Sequence, residues 1–243
     1  MNVPHERVAV IAHRGSTGRH AENTTGAFAD AVHLGADGVE LDVRQSRDGH
    51  LVVHHDPVLP DGRVVGETER GALPAHVPLL EEALDACGRL LVNVEVKSHP
   101  AERGFVAGET TARKTARLLA ERARRGLGGK IVLSSFSVEA LRAACEELPG
   151  RDDRGLEIAL LVSWRTPRAV AALDAVLAQG WDSLHPHFAL VDEGLASRAA
   201  ETGTSLRAWT VDDPSHVARL AGLEVDAVIT NDVAMARAAL RPS

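Results

Sequence analysis

The sequence predicts an α/β fold, a (β/α)8 barrel that forms a single domain over residues 1–243. Strand-like and helix-like segments alternate along the chain, and eight such pairs can be counted. Strict alternation implies parallel strands, because each helix returns the chain to the edge at which the next strand begins. The length of 243 residues also matches one such barrel, since these domains commonly run to about 250 residues. A doubly wound open sheet is the structural alternative.

Each predicted strand is a short apolar run, and most of these runs end in polar residues. Val39, Leu41 and Val43 show the pattern most clearly, since they alternate with polar side chains. The predicted strands are residues 8–12, 39–43, 90–96, 130–134, 157–162, 183–185, 205–211 and 227–230. In a parallel barrel the carboxyl ends of the strands share one rim, so the polar residues at these ends should converge there.

The predicted helices have apolar residues at helical spacing and begin or end at capping residues. Asn23 or Thr24 would cap the first helix, and Gly35 would end it. The predicted helices are residues 24–34, 78–87, 109–125, 138–147, 167–179, 192–202, 215–220 and 233–240.

A hairpin and a short excursion are predicted after the second strand. Asp48 and Gly49 mark a tight turn, and the apolar run 51–53 follows it. Residues 59–77 show neither a helical nor a strand period. We therefore expect a loop excursion from the barrel that is too short to be a domain of its own.

Composition argues against several classes of function. The net charge of −7 disfavours binding to nucleic acid or to an anionic membrane, because both attract basic surfaces. No apolar run approaches transmembrane length, and the N-terminal run is too short for a signal peptide, so a cytoplasmic protein is expected. Cys87 and Cys145 lie in separate helix-like segments, and we expect two buried thiols instead of a disulfide or a metal site.

Three carboxylates at strand positions predict a divalent-cation site. Glu40 and Asp42 are two residues apart and therefore share one face of their strand. Glu95 lies in the third strand with the same spacing to Lys97. Carboxylates side by side repel, and one hard cation such as Mg²⁺ or Ca²⁺, with Mn²⁺ as a further choice, would neutralise them. On pattern alone Glu40 and Asp42 could equally line a solvated strand face, but a place inside a barrel favours the metal.

Two histidines and two permanent cations are also predicted at strand ends. His13 and His55 can transfer protons at neutral pH, and Arg14 and Lys97 supply fixed positive charge. This set suits displacement at phosphorus, where a cation binds phosphoryl oxygens and the histidines serve the attacking and leaving oxygens. A salt bridge to Glu22 is the structural alternative for Arg14.

Other residues near the strand ends are weaker candidates. Glu22 and Asn23 could cap the first helix, and a supporting role is favoured over a catalytic one. His54 is the alternative to His55, because only one of two adjacent side chains can face the site. Phe136, Trp164 and Trp209 could belong to the core instead of a pocket. His185 and His187 could be ordinary rim residues, and Asn231 follows the eighth strand.

Nine short motifs are distributed over nearly the whole chain. They are AHRG (12–15), ENT (22–24), GADGVELDV (35–43), DGHLVVHHDP (48–57), VPLLEEAL (77–84), NVEVK (93–97), SSF (134–136), AWTV (208–211) and DAVITND (226–232). In their residues and in their order along the chain, these motifs resemble those of the glycerophosphodiester phosphodiesterase family.

The resemblance implies a TIM barrel that hydrolyses small-molecule glycerophosphodiesters to glycerol 3-phosphate and an alcohol, with one divalent cation. The roles implied by the matching motifs are metal ligands for Glu40, Asp42 and Glu95, an acid–base pair for His13 and His55, phosphate contacts for Arg14 and Lys97, and a pocket wall for Trp209.

Two departures from the family pattern concern the surroundings of the pocket. Ala21 stands where the family usually has proline before its Glu-Asn-Thr motif. Residues 57–71 are short and lack the Arg-Thr-Thr run and the small inserted subdomain that usually follow His-Asp. We expect the chemistry to be retained and the preference for substrate size and headgroup to differ.

Three other functions fit part of the pattern. A lyase resembling sphingomyelinase D shares the barrel and metal site and would release a cyclic phosphate. A metal-dependent sugar isomerase would have no need of the Arg14 and Lys97 cations. A non-catalytic phosphate-binding barrel would usually have lost a catalytic position, and here all of them are filled.

Overall fold

The computed structural model describes residues 8–16, 18–148, 156–165 and 169–241, and within them eight parallel strands close into a barrel. The strands are β1 (Ala9–Ala12), β2 (Gly38–Gln45), β3 (Leu51–Val53), β4 (Leu91–Val96), β5 (Ile131–Ser135), β6 (Leu156–Val162), β7 (Ser183–Pro186), β8 (Ser205–Ala208) and β9 (Ala227–Thr230). The helices are α1 (Thr25–His33), α2 (Leu80–Ala86), α3 (Thr110–Arg124), α4 (Val138–Glu146), α5 (Ala169–Gln179), α6 (Glu193–Thr202), α7 (Pro214–Gly222) and α8 (Val233–Ala239). These elements confirm the predicted barrel.

Closure of the barrel depends on β1, which pairs in parallel with a strand on each side. Ile11 lies beside Gly38 of β2, and Ala12 lies beside Thr230 of β9. Gly38 must lack a side chain, because a Cβ there would come within 2.9 Å of the Leu91 carbonyl oxygen. The closed sheet excludes the open-sheet alternative and brings the carboxyl ends of all eight barrel strands to one rim.

The tight turn predicted after the second strand is present. β3 pairs antiparallel with β2, with Val43 beside Val53, and Gly49 in the turn adopts a φ of +85°. The excursion that follows contains two short 3₁₀ turns. It is anchored to the β3 side of the barrel by a small cluster of buried side chains, Val52, Leu59, Val65, Leu73 and Val77.

Side-chain caps fix where several helices begin, and so they set the length of the loops at the rim. Each of these side chains accepts a hydrogen bond from a backbone N–H in the first helical turn, and each such cap stabilises its helix by about 1 kcal/mol. The capping residues are Thr24, Ser137, Asp192, Asp213 and Asp232. Of the two caps predicted for the first helix, the structure therefore selects Thr24.

The main hydrophobic core lies between the strands and the surrounding helices. It includes outward-facing strand residues and the inner faces of the helices, all fully buried, such as Val10, Leu41, Val94, Phe28 and Leu119. Inside the barrel the separate apolar layer is small and consists of Ile11, Ala227 and Ile229. Polar side chains can therefore occupy the remaining interior.

A buried polar network fills part of the barrel interior next to β7 and β8. Arg207 donates hydrogen bonds to Glu157 (2.6 Å) and Ser183 (3.1 Å), and its guanidinium lies 3.3 Å from His185 Nε2. His185 is fully buried, so its placement on the rim is wrong. The reason is that β7 continues to Pro186, which leaves the inward-facing His185 below the end of the strand.

Within the described residues, the predicted element boundaries lie within two residues of the observed ones, except at one strand. The predicted strand 205–211 ends at Ala208, because Trp209 forms only an isolated bridge with His187. The predicted helix 167–179 begins outside the described residues, and the part that lies within them is α5.

The structure tests two expectations, that both thiols are buried and that no segment approaches transmembrane length. Both thiols are free, but only Cys87 is buried; Cys145 is half-buried, so the expectation of two buried thiols is wrong for Cys145. Among the described residues, no helix combines the length and the apolar character needed to cross a membrane.

We predict that His185 makes the protein less stable as the pH falls below its ordinary pKa of 6.5. The unfolded chain binds a proton there, whereas burial and the charge of Arg207 lower the pKa of His185 well below that value in the folded protein. Each pH unit between the two pKa values then costs about 1.4 kcal/mol of unfolding free energy. Urea unfolding at about pH 7.5 and about pH 5.5 should show a smaller acid loss for His185→Gln than for the wild type. Equal losses would contradict this assignment.

Candidate active site

The three carboxylates predicted to bind metal meet near the carboxyl ends of β2 and β4. Glu40 and Asp42 share the inner face of β2, and the parallel register places Asp42 beside Glu95 of β4. One oxygen from each residue lies within 4.8 Å of the other two. All three side chains are buried, which excludes a solvated strand face.

Burial and mutual repulsion both act on the ionisation of these carboxyl groups. Burial raises the pKa of Glu40 well above its ordinary value, and the charges of Asp42 and Glu95 raise it further. Burial also raises the pKa of Glu95. For Asp42 burial acts in the same direction, but nearby positive charge, that of Lys97 first, lowers the pKa to about 2. The cluster therefore favours additional positive charge when all three groups are ionised.

Lys97 lies directly against two of the carboxylates. Its Nζ is 2.9 Å from Asp42 Oδ1 and 2.5 Å from Glu95 Oε1. Although burial disfavours the ammonium, Glu95 and Asp42 outweigh it and raise the pKa of Lys97 above its ordinary value. Lys97 is thus a permanent cation at the edge of the cluster.

The donor set fits a hard divalent cation. Glu40 Oε1 is buried and has no hydrogen-bond partner among the described residues. A buried, unpaired carboxylate oxygen is costly, and a cation bound to it would remove that cost. Mg²⁺ and Ca²⁺ prefer carboxylate oxygens, and Glu40, Asp42 and Glu95 supply three, with water or substrate completing the shell.

Arg14 connects the end of β1 to the same cluster. Its backbone N–H donates to Glu40 Oε2 at 3.0 Å, and its Nε lies 3.4 Å from Asp42 Oδ2. Its guanidinium also donates to Glu22 at 2.8 Å. The salt bridge to Glu22, which was the structural alternative, is therefore present, and the same guanidinium also lies against Asp42.

Asn23 holds Asp42 through two hydrogen bonds. Its Nδ2 donates to Asp42 Oδ2 at 2.7 Å, and its Oδ1 accepts from the Asp42 backbone N–H at 3.2 Å. The residue is buried and has a φ of +58°, a conformation that asparagine tolerates better than most residues. Asn23 thus supports a carboxylate of the cluster, while Thr24 caps the helix.

Both predicted histidines lie at the rim with Nδ1 engaged. His13 Nδ1 is 2.8 Å from Asn231 Oδ1, and its Nε2 is 3.9 Å from Glu40 Oε2. His55 Nδ1 is 2.7 Å from Asp56 Oδ1. Burial lowers the pKa of both rings below the ordinary value, which favours neutral imidazole at neutral pH.

His54 is directed differently from His55. The His54 Nδ1 lies 2.9 Å from the Asp56 carbonyl oxygen, a contact within its own loop. His55 is held by Arg44, whose Nε and Nη2 donate to the His55 carbonyl oxygen at 2.8 and 2.6 Å. Arg44 also donates to Glu102 at 2.7 Å, so it fixes the loop that carries His55.

The aromatic candidates separate into two places. Trp209 donates from Nε1 to the His185 carbonyl oxygen at 2.8 Å, and the rings of Phe136 and His187 contact it edge-on at 5.4 and 5.5 Å. Phe136 is 45% exposed, so it belongs to a rim surface and not to the core. Trp164 is 62% exposed and lies beneath the guanidinium of Arg165.

Sequence reasoning missed two residues that contact the predicted site. Arg44 continues the two-residue spacing of Glu40 and Asp42 along β2, and that spacing was an available signal. No sequence pattern marked Asp212, because it lies in the loop between β8 and α7 and contacts Asn231 only in the folded chain.

The fold and the charge pattern at its rim define a barrel enzyme of the phosphoric diester hydrolase class. Fixed cations beside a buried carboxylate cluster suit a phosphate anion, and the flanking histidines suit proton transfer to its ester oxygens. Within that class, the chain belongs to the glycerophosphoryl diester phosphodiesterase family, whose model matches residues 13–72 and 59–235.

Similarity to individual proteins extends over nearly the full length of the chain. A glycerophosphodiester phosphodiesterase of Caldanaerobacter subterraneus is 31% identical over 249 residues, covering 93% of this chain and 95% of that protein. A phosphodiesterase of Oleispira antarctica, solved with the product sn-glycerol-3-phosphate, has a TM-score of 0.80 at 25% identity, with 96% and 97% covered. A Thermotoga maritima glycerophosphodiester phosphodiesterase has a TM-score of 0.77 at 25% identity, with 98% and 100% covered.

We predict that Asn23→Gly lowers the unfolding free energy by about 2 kcal/mol, because it removes two hydrogen bonds to buried Asp42. Glycine preserves the backbone conformation at a φ of +58°, so the loss reports on the side chain. Divalent-cation affinity should fall by about 10- to 100-fold. Urea unfolding and titration calorimetry with Mn²⁺ would measure the two effects. Wild-type cation affinity in this variant would show that Asn23 supports the loop alone.

Proposed function

We propose that the protein hydrolyses glycerophosphodiesters to sn-glycerol 3-phosphate and an alcohol with the help of a divalent cation. The observation that carries this proposal is the position of Arg14 and Lys97 against the buried cluster of Glu40, Asp42 and Glu95. A phosphodiester is an anion, and positive groups on the edge of a cation site suit its two non-bridging oxygens. The Oleispira antarctica structure with sn-glycerol-3-phosphate supports that product.

Binding of the phosphate would be divided between the cation and this chain's own charges. Glu40, Asp42 and Glu95 would hold the cation, which supplies Lewis-acid polarisation of the phosphoryl oxygens when bound. The Lys97 ammonium and the Arg14 guanidinium would bind non-bridging oxygens and stabilise the negative charge that develops on them. Both groups are largely shielded from water, so their attraction for an anion is screened less than at an open surface.

Proton transfer would be divided between His13 and His55. One ring would take a proton from the attacking hydroxyl or water, and the other would give a proton to the leaving alkoxide oxygen. The lowered pKa of both rings favours the neutral form that can accept a proton. In both rings Nδ1 is engaged by a neighbouring residue, so Nε2 is the nitrogen that would exchange the proton.

Space for one arm of the diester lies next to Lys97. A cavity of about 430 Å³ adjoins Glu95 and Lys97, and residues that follow β4 and β5 form part of its lining. Its further lining includes Ser98, His99, Phe136 and Glu139. This volume and mixed lining suit a small polar alcohol better than a long acyl chain.

We predict that the purified protein releases glycerol 3-phosphate from glycerophosphocholine and glycerophosphoethanolamine. EDTA should abolish turnover, and Mg²⁺, Ca²⁺ or Mn²⁺ should restore it, because Lys97 and Arg14 leave Glu40 Oε1 unpaired among the described residues and only the cation would supply Lewis-acid polarisation. Coupled detection of glycerol 3-phosphate, together with ³¹P NMR for cyclic phosphate, would measure the products. Cyclic phosphate as the final product would instead establish the lyase, and metal binding without any product would support a non-catalytic barrel.

We predict that the carboxylate and histidine variants fail in different ways. Glu40→Ala, Asp42→Ala and Glu95→Ala should lose both cation binding and activity, since each removes a proposed ligand. His13→Ala and His55→Ala should retain the cation but lose turnover by about 10²- to 10⁴-fold, the usual contribution of general acid–base catalysis. Titration calorimetry and steady-state kinetics would separate the two groups.

His54→Ala is the matched control for His55→Ala, because within the described residues the hydrogen bond of the His54 ring stays in its own loop. Near wild-type activity is expected for this control. Folded His13 and His55 variants with wild-type turnover would refute the assignment of these two residues.

A further inference from the structure

We propose that Asp212 and Asn231 are positioning residues that hold His13 in the ring tautomer with the proton on Nδ1. The inference rests on the acid–base role proposed for His13. It is carried by a chain of hydrogen bonds that runs from Asp212 through the Asn231 side chain to the ring. Neither Asp212 nor Asn231 contacts the carboxylate cluster among the described residues, so both would act on the reaction through His13.

Asp212 is held at the end of β9 by hydrogen bonds to one of its carboxylate oxygens. The preceding residue, Val211, donates its backbone N–H to the Ile229 carbonyl oxygen of β9 at 2.9 Å. The buried Thr230 hydroxyl then donates to Asp212 Oδ1 at 3.1 Å, and the Asn231 backbone N–H donates to the same oxygen at 2.8 Å. One carboxylate oxygen is therefore occupied by the strand end, and the other is directed to the Asn231 side chain.

The second oxygen of Asp212 determines how the Asn231 amide is oriented. Asn231 Nδ2 donates to Asp212 Oδ2 at 2.6 Å. An ionised carboxylate can only accept hydrogen bonds, so the NH₂ group of Asn231 must face Asp212. The amide oxygen consequently faces the other way, where it lies 2.8 Å from His13 Nδ1.

The orientation of Asn231 in turn determines the tautomer of His13. An amide oxygen can only accept, so His13 Nδ1 must carry the proton in that hydrogen bond. The lone pair of the neutral ring then resides on Nε2, the nitrogen that lies 3.9 Å from Glu40 Oε2 on the side of the carboxylate cluster. The strand ends are themselves tied, because the His13 backbone N–H donates to the Thr230 carbonyl oxygen at 2.8 Å.

Several hydrogen bonds hold Asn231 in place, because this part of the rim is exposed to water. Asn231 and Asp212 are both exposed, and a single hydrogen bond in such a place competes with water. The fixed position of Asp212 on Thr230 and Asn231 offsets that competition. His55 has a simpler arrangement, since its Nδ1 meets the carboxylate of the adjacent residue Asp56 directly.

Asp212→Asn tests the proposal because it keeps the shape of the side chain and reverses one hydrogen-bonding group. With its amide oxygen retained on Thr230 and the Asn231 N–H, its NH₂ would face Asn231 Nδ2. Two donors repel, so the Asn231 amide should turn over and present its own NH₂ to His13 Nδ1. That contact favours the proton on Nε2, the wrong tautomer for the reaction.

We expect Asp212→Asn to lower kcat by about 10- to 100-fold and to change KM less than about 3-fold, since the phosphate-binding groups are untouched. The ring ¹⁵N chemical shifts of His13, assigned by their loss in His13→Gln, should move from the Nδ1–H pattern toward the Nε2–H pattern. Asn231→Ala, which removes the acceptor, should give mixed tautomers and a similar loss of kcat. It also provides the test if Asp212→Asn folds poorly.

Asp213→Asn is the matched control, because it makes the same change one residue away at the cap of α7. Asparagine also caps helices well, and wild-type kcat and His13 shifts are expected. Unchanged His13 shifts in both Asp212→Asn and Asn231→Ala would overturn the proposal. Shifted tautomers with unchanged kcat would leave the hydrogen-bond chain in place and refute instead the acid–base role of His13.

Discussion

Three carboxylates buried within 4.8 Å of one another repel, and much of the polar structure at this rim compensates for that repulsion. Lys97 lies against Asp42 and Glu95, and Asn23 holds the second oxygen of Asp42. These contacts leave Glu40 Oε1 unpaired among the described residues. The groups proposed to hold a cation and those proposed to bind phosphate therefore lie together, because the buried carboxylates need positive charge beside them and Lys97 and Arg14 supply it.

Barrel closure brings His13, the proposed acid–base residue, to this charged cluster. β1 is inserted between β2 and β9, so its last residues face Glu40 on one side and Asn231 on the other. Arg14 follows with a φ of +56°, and this turn of the backbone brings its N–H to Glu40 Oε2. His13 is thus positioned by two strands that lie at opposite ends of the sequence, which explains why its partners are far from it along the chain.

Much of the fold and of the site can be predicted because the governing patterns are local. Alternating strand and helix periods require only neighbouring residues, and the spacing of Glu40 and Asp42 fixes their shared face whatever surrounds them. Predictions of how deeply a side chain is buried were less successful. His185 was placed on the rim, yet a strand longer by one residue buries it, and Cys145 is only half-buried. Burial depends on how far neighbouring strands and helices extend, and no local period encodes that.

The sequence by itself determined the parallel barrel, the carboxylate pair on β2, and the types of residue at each strand end. Those features follow from side-chain periodicity and from the chemistry of single residues. Only the tertiary structure decided which residues act on one another across strands, such as the 2.8 Å contact between His13 and Asn231, 218 positions apart. Hydrogen bonds act over a few ångströms, and distances of that size between remote segments exist only after the barrel has closed.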